Sequence, residues 1–274
     1  MHNLKDNAAV KAKKALGQHF LTDLSIAARI ADTADEAIGQ IPLLEIGPGM
    51  GVLTRLLLEK GHDVHAVELD SESIDYLRSH LPELGNKLHK ADFLRLELET
   101  LFPKGQPFCL TGNYPYNISS QIFFRLLEYK DQIPLCTGML QREVAQRLAS
   151  KPGPKTYGIL SVLLQAWYDV EYLFTVDEHV FSPPPKVKSG VIRLRRNSRT
   201  NLGCDEEVFK QVVKATFNQR RKTLRNSLKA FFPAGDPVLQ QEIFSQRPEK
   251  LSVEDFVGLS LLVSTARQSS PFQE

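Results

Sequence analysis

Residues 42–51 read PLLEIGPGMG, a short apolar run that passes directly into a turn containing three glycines. The apolar run predicts a buried strand, and the glycines predict a turn whose backbone amides can approach a ligand closely. The segment after the turn predicts a helix, because leucines recur at helical spacing, at positions 53, 56, 57 and 58. This order places the N-terminus of the helix beside any ligand that the turn holds.

The same alternation of strand and helix continues toward the C-terminus. Further strands are predicted, in chain order, at residues 62–67, 87–90, 107–111, 134–140, 168–176 and 189–195. Helical patterns occupy residues 71–80, 118–127, 142–148 and 161–167. Such alternation predicts a mostly parallel, doubly wound α/β sheet, to which the last two strands, joined without a helix, add an antiparallel edge.

A change of pattern near residue 198 divides the chain. The polar stretch 197–203 has the composition of a linker, and only helical patterns follow it. We therefore predict an α/β domain at residues 1–198 and a small all-α domain at residues 199–274.

Basic residues dominate from position 186 to position 229, where only three acidic residues occur. Such a region is a candidate binding surface for a polyanion. Five of its basic residues are predicted to lie on a helical segment whose face suits phosphates: Arg220, Arg221, Lys222, Arg225 and Lys229. The alternative is an ordinary solvated helix surface.

The overall composition is that of a globular protein with a sizeable core. Of 274 residues 42% are apolar, and Lys plus Arg exceed Asp plus Glu by only 34 to 32. Three cysteines without a C-x-x-C pair predict neither a disulfide framework nor a bound metal. No apolar run approaches the roughly 18 residues of a membrane-spanning helix, and the polar start lacks the apolar core of a secretory signal. We expect a cytoplasmic protein that does not associate with membranes.

Polar or glycine residues close four successive predicted strands. Gly47 and Gly49 follow the first strand, Glu68 the second, Asp92 the third and Asn113 the fourth. Ligands of open α/β sheets bind at the carboxyl ends of the strands. Glu68 can accept hydrogen bonds from two ribose hydroxyls and Asp92 from an adenine amine, although each alone also suits a helix N-cap.

The spacing of the glycines bears on the ligand. Both dinucleotides and S-adenosylmethionine bind at such turns, but the glycines here are spaced G-x-G-x-G rather than G-x-G-x-x-G. The acid Glu45 just before the turn is also unusual for an oxidoreductase. The pattern therefore disfavours NAD.

Residues 113–116 read NYPY and indicate methyl transfer to adenine. The N6 amine of adenine is a poor nucleophile, because its lone pair is delocalised into the ring. The Asn113 side-chain oxygen and the Tyr114 carbonyl can each accept one N6 hydrogen, and Pro115 stiffens the turn that aims them. Tyr116 can stack on the base. Alone, this short pattern more often marks a turn with Tyr116 packed inward, but the neighbouring strand ends favour the first interpretation.

Seven blocks of the chain resemble the bacterial rRNA adenine N6,N6-dimethyltransferases of the kasugamycin-sensitivity family. They are K-x-L-G-Q-x-F-L at 14–21, L-E-I-G-P-G-x-G at 44–51, V-E-L-D at 67–70, N-x-P-Y-N at 113–117, Q-R-E-V-A-x-R at 141–147, F-x-P-x-P-x-V-x-S at 181–189 and F-x-Q-R-R-K-T-L-R-N-x-L at 217–228. The resemblance implies a Rossmann-like class I methyltransferase fold, with a seven-stranded, mostly parallel sheet containing one antiparallel strand and a small helical C-terminal domain.

The resemblance also implies roles for individual residues. The S-adenosylmethionine site would be lined by His19, Leu21, Gly47, Glu68, Asp92 and Asn113. The target adenine would be surrounded by Asn113, Pro115, Tyr116 and Phe181. Many relatives have asparagine in place of His19 and leucine or isoleucine in place of Tyr114. A histidine at position 19 can still form a hydrogen bond, and any residue supplies the backbone carbonyl of position 114.

The activity that the resemblance implies is dimethylation of two adjacent adenosines near the 3′ end of 16S rRNA, in the assembling 30S subunit. We also expect the protein to be a monomer that needs no metal. Three other functions remain open: a 23S rRNA adenine N6-methyltransferase of the macrolide-resistance branch, a non-catalytic ribosome assembly factor, and a NAD-dependent oxidoreductase. The helical C-terminal block disfavours the first, the intact NYPY and Glu68 disfavour the second, and NYPY would have no purpose in the third.

Overall fold

The computed structural model describes residue 10 and residues 12–269, which form two compact units. The first contains the described residues up to 146 together with residues 169–196. The second contains residues 147–168 and the described residues from 197 onward. Residues 147–168 thus group with the C-terminal helices, which the alternation of strands and helices did not indicate. The functional division at residue 198 stays a prediction.

The described elements follow the predicted alternation. Strands β1 to β9 are Phe20–Leu21, Leu43–Ile46, Val64–Glu68, Leu88–Lys90, Cys109–Thr111, Leu135–Gln141, Tyr168–Val176, Phe181–Ser182 and Ser189–Arg196. Helices α1 to α9 are Leu24–Asp32, Val52–Glu59, Ser71–His80, Ser119–Glu128, Arg142–Ala149, Ile159–Gln165, Glu206–Asn218, Leu224–Leu228 and Val253–Ser269.

Seven of these strands form one sheet in the order β4-β3-β2-β5-β6-β9-β7. Strands β4, β3, β2, β5 and β6 pair in parallel, and β9 runs antiparallel to β6. The predicted class, a mostly parallel seven-stranded sheet with one antiparallel strand, is confirmed. The antiparallel strand lies between β6 and β7 rather than at the edge, because the chain returns from the edge strand β7 to pair with β6.

A short two-stranded ladder of β1 and β8 has no counterpart in the sequence predictions. Leu21 pairs with Phe181, and the Thr22 amide donates to the Val180 carbonyl at 2.8 Å. The ladder fastens the N-terminal segment to the loop that precedes β9. Strands of two residues have no periodicity of their own, which is why local sequence does not indicate them.

The first unit is organised around buried apolar faces of the sheet and its helices. Asp23 is the N-cap of helix α1, and its carboxylate accepts from the amides of Ser25 and Ile26. The buried face of α1 carries Ala27 and Ile30, which join the apolar cluster of the sheet. Within the described residues, no helix combines the length and apolar character needed to cross a bilayer.

The basic segment of the second unit differs from its prediction. Helix α7 ends at Asn218, and the chain turns before α8 begins at Leu224. The helix does not continue because the Leu224 amide donates to the Gln246 carbonyl at 2.9 Å and Thr223 is extended. The prediction that the five basic residues share one helical segment is therefore wrong: Arg220, Arg221 and Lys222 lie in the turn, Arg225 on α8, and Lys229 in the 3-10 turn that follows α8.

Candidate active site

A cavity opens at the carboxyl edge of the sheet, where β4, β3, β2 and β5 end side by side. Its lining includes every residue predicted to contact cofactor or base except Phe181: His19, Leu21, Gly47, Gly49, Glu68, Asp92, Asn113, Tyr114, Pro115 and Tyr116. Residues from distant parts of the chain meet here because parallel strands present their carboxyl ends at one edge. The roles of these residues stay predictions.

The glycine turn after β2 leaves part of the cavity without side chains. Gly47, Gly49 and Gly51 have φ angles of 65°, 57° and 74°, a region that other residues rarely adopt. A Cβ atom at Gly49 would lie 2.9 Å from Cε1 of Phe20, so no side chain fits there. The turn therefore presents backbone to the cavity.

The Glu68 carboxylate holds this turn in place. Its Oε1 accepts from the amides of Leu69 and Asp70, both at 2.8 Å, and its Oε2 accepts from the Gly49 amide at 3.1 Å. Burial raises the pKa of Glu68, and the backbone donors oppose that effect. A carboxylate oxygen has two acceptor positions, so Oε2 keeps one for a ligand hydroxyl.

The ends of strands β4 and β3 supply an acidic and an apolar surface to the cavity. Oδ1 of Asp92 accepts from the Leu94 amide at 3.0 Å, so the carboxylate caps its own turn. Its Oδ2 lies 3.6 Å from Nε of Arg95, beyond hydrogen-bond distance, and so keeps acceptor capacity for another donor. Leu69, which also lines the cavity, is 50% exposed. An exposed leucine beside an acceptor suits a flat heterocycle with an exocyclic amine, which fits the predicted role of Asp92.

Glu45 is a lining residue to which the sequence assigned no role in the site. It is fully buried in β2, and its Oε2 has no hydrogen-bond partner among the described residues. Burial raises its pKa to about 8, so the carboxyl is mostly protonated at neutral pH. The signal in the sequence was an acid inside an otherwise apolar strand.

The orientation of the Asn113 side chain follows from its hydrogen bond. Its Nδ2 donates to the His19 carbonyl at 3.0 Å. A carbonyl can only accept, so the amide nitrogen must point to His19 and Oδ1 must point the other way. Oδ1 is therefore available as the acceptor that the adenine hypothesis requires.

The side chain of Tyr114 lies in the core beneath the turn. Its hydroxyl donates to the Thr137 carbonyl at 2.7 Å, and only 1% of the residue is exposed. Gly138 leaves room for the ring, since a Cβ atom there would lie 2.8 Å from Cε2 of Tyr114. The residue can thus offer the cavity its backbone but not its side chain, and the role of its carbonyl stays a prediction.

Tyr116 and His19 lie side by side in the lining. Their ring centroids are 5.4 Å apart and the planes are tilted by 33°. His19 Nδ1 lies 2.8 Å from the Pro183 carbonyl, which requires a proton on that nitrogen. The hydroxyl of Tyr116 hydrogen-bonds to Ser189, a residue that sequence reasoning missed.

The structure does not bring Phe181 to the cavity. It is 4% exposed and packs in the apolar cluster of the sheet, opposite Leu21 in the β1–β8 ladder. Its predicted stacking on the base stays a prediction.

The five predicted RNA-binding residues fall into two groups. Arg221, Lys222 and Lys229 form the first group, and they are exposed, as is Arg225 of the second group. Arg220 lies 3.8 Å from the Glu249 carboxylate, and Nε of Arg225 donates to the Leu239 carbonyl at 2.8 Å. The first group is therefore the better candidate for phosphate contacts.

Comparison with known proteins identifies the family. A family model described as ribosomal RNA adenine dimethylase matches residues 9–261. A Porphyromonas gingivalis protein named ribosomal RNA small subunit methyltransferase A is 65% identical over 254 residues, which cover 93% of this chain and 98% of that protein.

Two solved structures share the fold over most of their length. The crystal structure of a dimethyladenosine transferase from Plasmodium falciparum aligns with a TM-score of 0.75 at 25% identity, covering 91% of this chain and 98% of that one. The 23S rRNA methyltransferase ErmE aligns with a TM-score of 0.64 at 29% identity, covering 87% and 99%. Together with the family model, these matches show that the chain belongs to the ribosomal RNA adenine dimethylase family.

Proposed function

We propose that this chain transfers methyl groups from S-adenosylmethionine to the N6 amines of two adjacent adenosines near the 3′ end of 16S rRNA. The reaction takes place in the cytoplasm, on the assembling 30S subunit, and the enzyme acts as a monomer. The observation that carries the proposal is one cavity lined by both the Glu68-braced glycine turn and the Asn113–Tyr116 turn. The 65% identity to a small subunit methyltransferase supports this substrate.

The residues at the strand ends fit S-adenosylmethionine. Glu68 keeps an acceptor for a ribose hydroxyl, Asp92 keeps one for the adenine amine, and Leu69 offers an apolar surface to the ring. Gly47 and Gly49 line the cavity and present their backbone to the ligand. When bound, S-adenosylmethionine supplies an electrophilic methyl group on a positively charged sulfur.

The Asn113–Tyr116 turn prepares the acceptor amine. Asn113 Oδ1 and the Tyr114 carbonyl accept the two N6 hydrogens, which localises the lone pair on nitrogen. Tyr116 stacks on the base and offsets part of the cost of taking it out of its stack. Positioning and electrostatics lower the barrier, and the proton that becomes acidic on alkylation passes to water without a strong base. A singly methylated amine remains nucleophilic, so two rounds on one base are possible.

The alternatives fit the observations less well. The 23S rRNA methyltransferase ErmE is 29% identical to this chain, whereas the small subunit relative is 65% identical. A non-catalytic assembly factor would not need the Glu68 brace or the oriented Asn113 amide. A NAD-dependent oxidoreductase does not agree with the family match over residues 9–261.

The proposed activity is tested with labelled S-adenosylmethionine and immature small subunits. We expect label in 16S rRNA and N6,N6-dimethyladenosine in the digested nucleosides, measured by mass spectrometry. Label in 23S rRNA instead, or no transfer to either RNA by the folded protein, would refute the proposal.

A separate prediction concerns RNA binding by the exposed basic residues of the second unit. The double variant Arg221→Glu, Lys222→Glu is expected to weaken RNA binding about tenfold and to lower the slope of log affinity against log salt by about 1 to 2, because two phosphate contacts are lost. Lys104→Glu, an exposed lysine of the first unit, serves as the charge control. An unchanged salt slope in the double variant would show that the turn containing Arg221 and Lys222 does not contact RNA phosphates.

Phe181 is tested with two substitutions. If its ring reaches the base during the reaction, Phe181→Leu should lower turnover about tenfold, because a stacked base gains about 1–3 kcal/mol from an aromatic partner. Phe181→Ala should also lower stability by about 3–5 kcal/mol, since the residue is buried. Wild-type turnover by the leucine variant would show that Phe181 contributes to core packing and does not stack on the base.

A further inference from the structure

The hydroxyl of Tyr116 has a partner inside the sheet. It hydrogen-bonds to Oγ of Ser189, which is fully buried at the start of β9. The two residues are 73 positions apart in the chain. Ser189 is the last residue of the F-x-P-x-P-x-V-x-S block. The sequence analysis predicted no contact for it.

Ser189 is a rigid anchor because of its place in the sheet. It pairs with Gln141 at the end of the β6–β9 ladder. The next residue, Gly190, is packed so closely that a Cβ atom there would lie 2.8 Å from Tyr172 and 2.9 Å from Ala145. The backbone of Ser189 therefore cannot shift without moving strand β9 against its neighbours, so its hydroxyl can move only by rotation about χ1.

A tyrosine that lines an open cavity needs such an anchor. The ring turns about two side-chain torsions, and a ring that swings away cannot stack on a base in the reactive geometry. A hydrogen bond at the far end of the ring limits both torsions. The phenol remains neutral, because burial raises the pKa of Tyr116, and so it can donate to or accept from the serine.

A second contact restrains the same ring. The His19 ring lies 5.4 Å from it, and His19 is itself hydrogen-bonded to the carbonyl of Pro183, six residues before Ser189. The loop that leads into β9 thus restrains Tyr116 directly through Ser189 and indirectly through His19.

We propose that Ser189 is a positioning residue that holds the Tyr116 ring in the orientation that stacks on the target adenine. The inference rests on the proposed function, because it assigns the ring its role in that reaction. The alternative is that Tyr116 and Ser189 form a buried polar pair that contributes only to the stability of the fold.

The test uses the full chain and three variants: Ser189→Ala, Tyr116→Phe and the double variant. Each is expected to lower kcat about tenfold with little change in KM for S-adenosylmethionine. If the serine acts through the phenol, the double variant loses no more than either single variant.

Ser260→Ala is the matched control, because this serine is equally buried and its hydroxyl donates to the Phe256 carbonyl at 2.7 Å within α9. We expect it to lower the melting temperature and leave kcat unchanged. If Ser189→Ala behaves in the same way, the positioning role is refuted.

Three further outcomes complete the test, and the last two separate this inference from the proposed function. If Ser189→Ala does not fold, Tyr116→Phe decides, since full kcat for that variant overturns the proposal. If the wild-type chain makes no dimethyladenosine in the same assay, the function fails. If the wild type is active and the variants match it, only the positioning role fails.

Discussion

Replacing Asn113 by alanine is expected to lower methyl transfer about 100- to 1000-fold while RNA affinity stays nearly unchanged. The amide is held by the His19 carbonyl at 3.0 Å, which leaves Oδ1 as an oriented acceptor. Without it the lone pair of the amine stays in the ring, so the loss falls on turnover rather than on binding. Single-turnover rates and RNA affinity, measured on the same preparations, separate the two effects.

Asn113→Asp is the sharper variant of this experiment. Aspartate has nearly the same shape as asparagine, but its ionised carboxylate has no donor for the His19 carbonyl. The negative charge would also repel that carbonyl oxygen. We expect it to be as slow as the alanine variant. Asn86→Ala, an exposed asparagine of the same unit, serves as the control. Wild-type turnover by either Asn113 variant would exclude the proposed grip on N6.

Replacing Glu68 by alanine is expected to weaken S-adenosylmethionine binding about 100-fold. The carboxylate accepts three backbone amides, including that of Gly49, and hydrogen bonds to a charged group are worth about 1.5–3 kcal/mol each. Its loss therefore loosens the glycine turn as well as removing the ribose acceptor. Calorimetric titration with S-adenosylmethionine measures the effect, and Glu83→Gln, an exposed glutamate, is the control.

Glu68→Gln adds a pH dependence to this prediction. Binding needs the ionised carboxylate, and burial raises the pKa of Glu68. Affinity should therefore fall as the pH falls through that raised pKa, at a higher pH than for an ordinary glutamate. The glutamine variant should bind weakly at every pH and lack this titration. Wild-type affinity in the alanine variant would place the ribose elsewhere.

The regular elements and their polar ends were predictable from local sequence. The apolar run and glycine turn at 42–51 appear as β2 and the turn before α2, and Glu68, Asp92 and Asn113 lie at or just after the ends of β3, β4 and β5. Each signal is contained in a short segment, and the edge of a parallel sheet then brings the segments together. The family was predicted in the same way, from short blocks in order, and the comparisons confirm it.

The contacts that orient the side chains were decided by the tertiary structure. Asn113 meets His19 across 94 positions, Tyr116 meets Ser189 across 73, and β1 pairs with β8 although neither has a periodic pattern. The basic segment 220–229 was predicted to be one helical segment, but the chain turns before α8, because the Leu224 amide donates to the Gln246 carbonyl. Periodicity reports which face of a segment is buried, whereas a hydrogen bond between distant residues depends on where the packed chain places both partners.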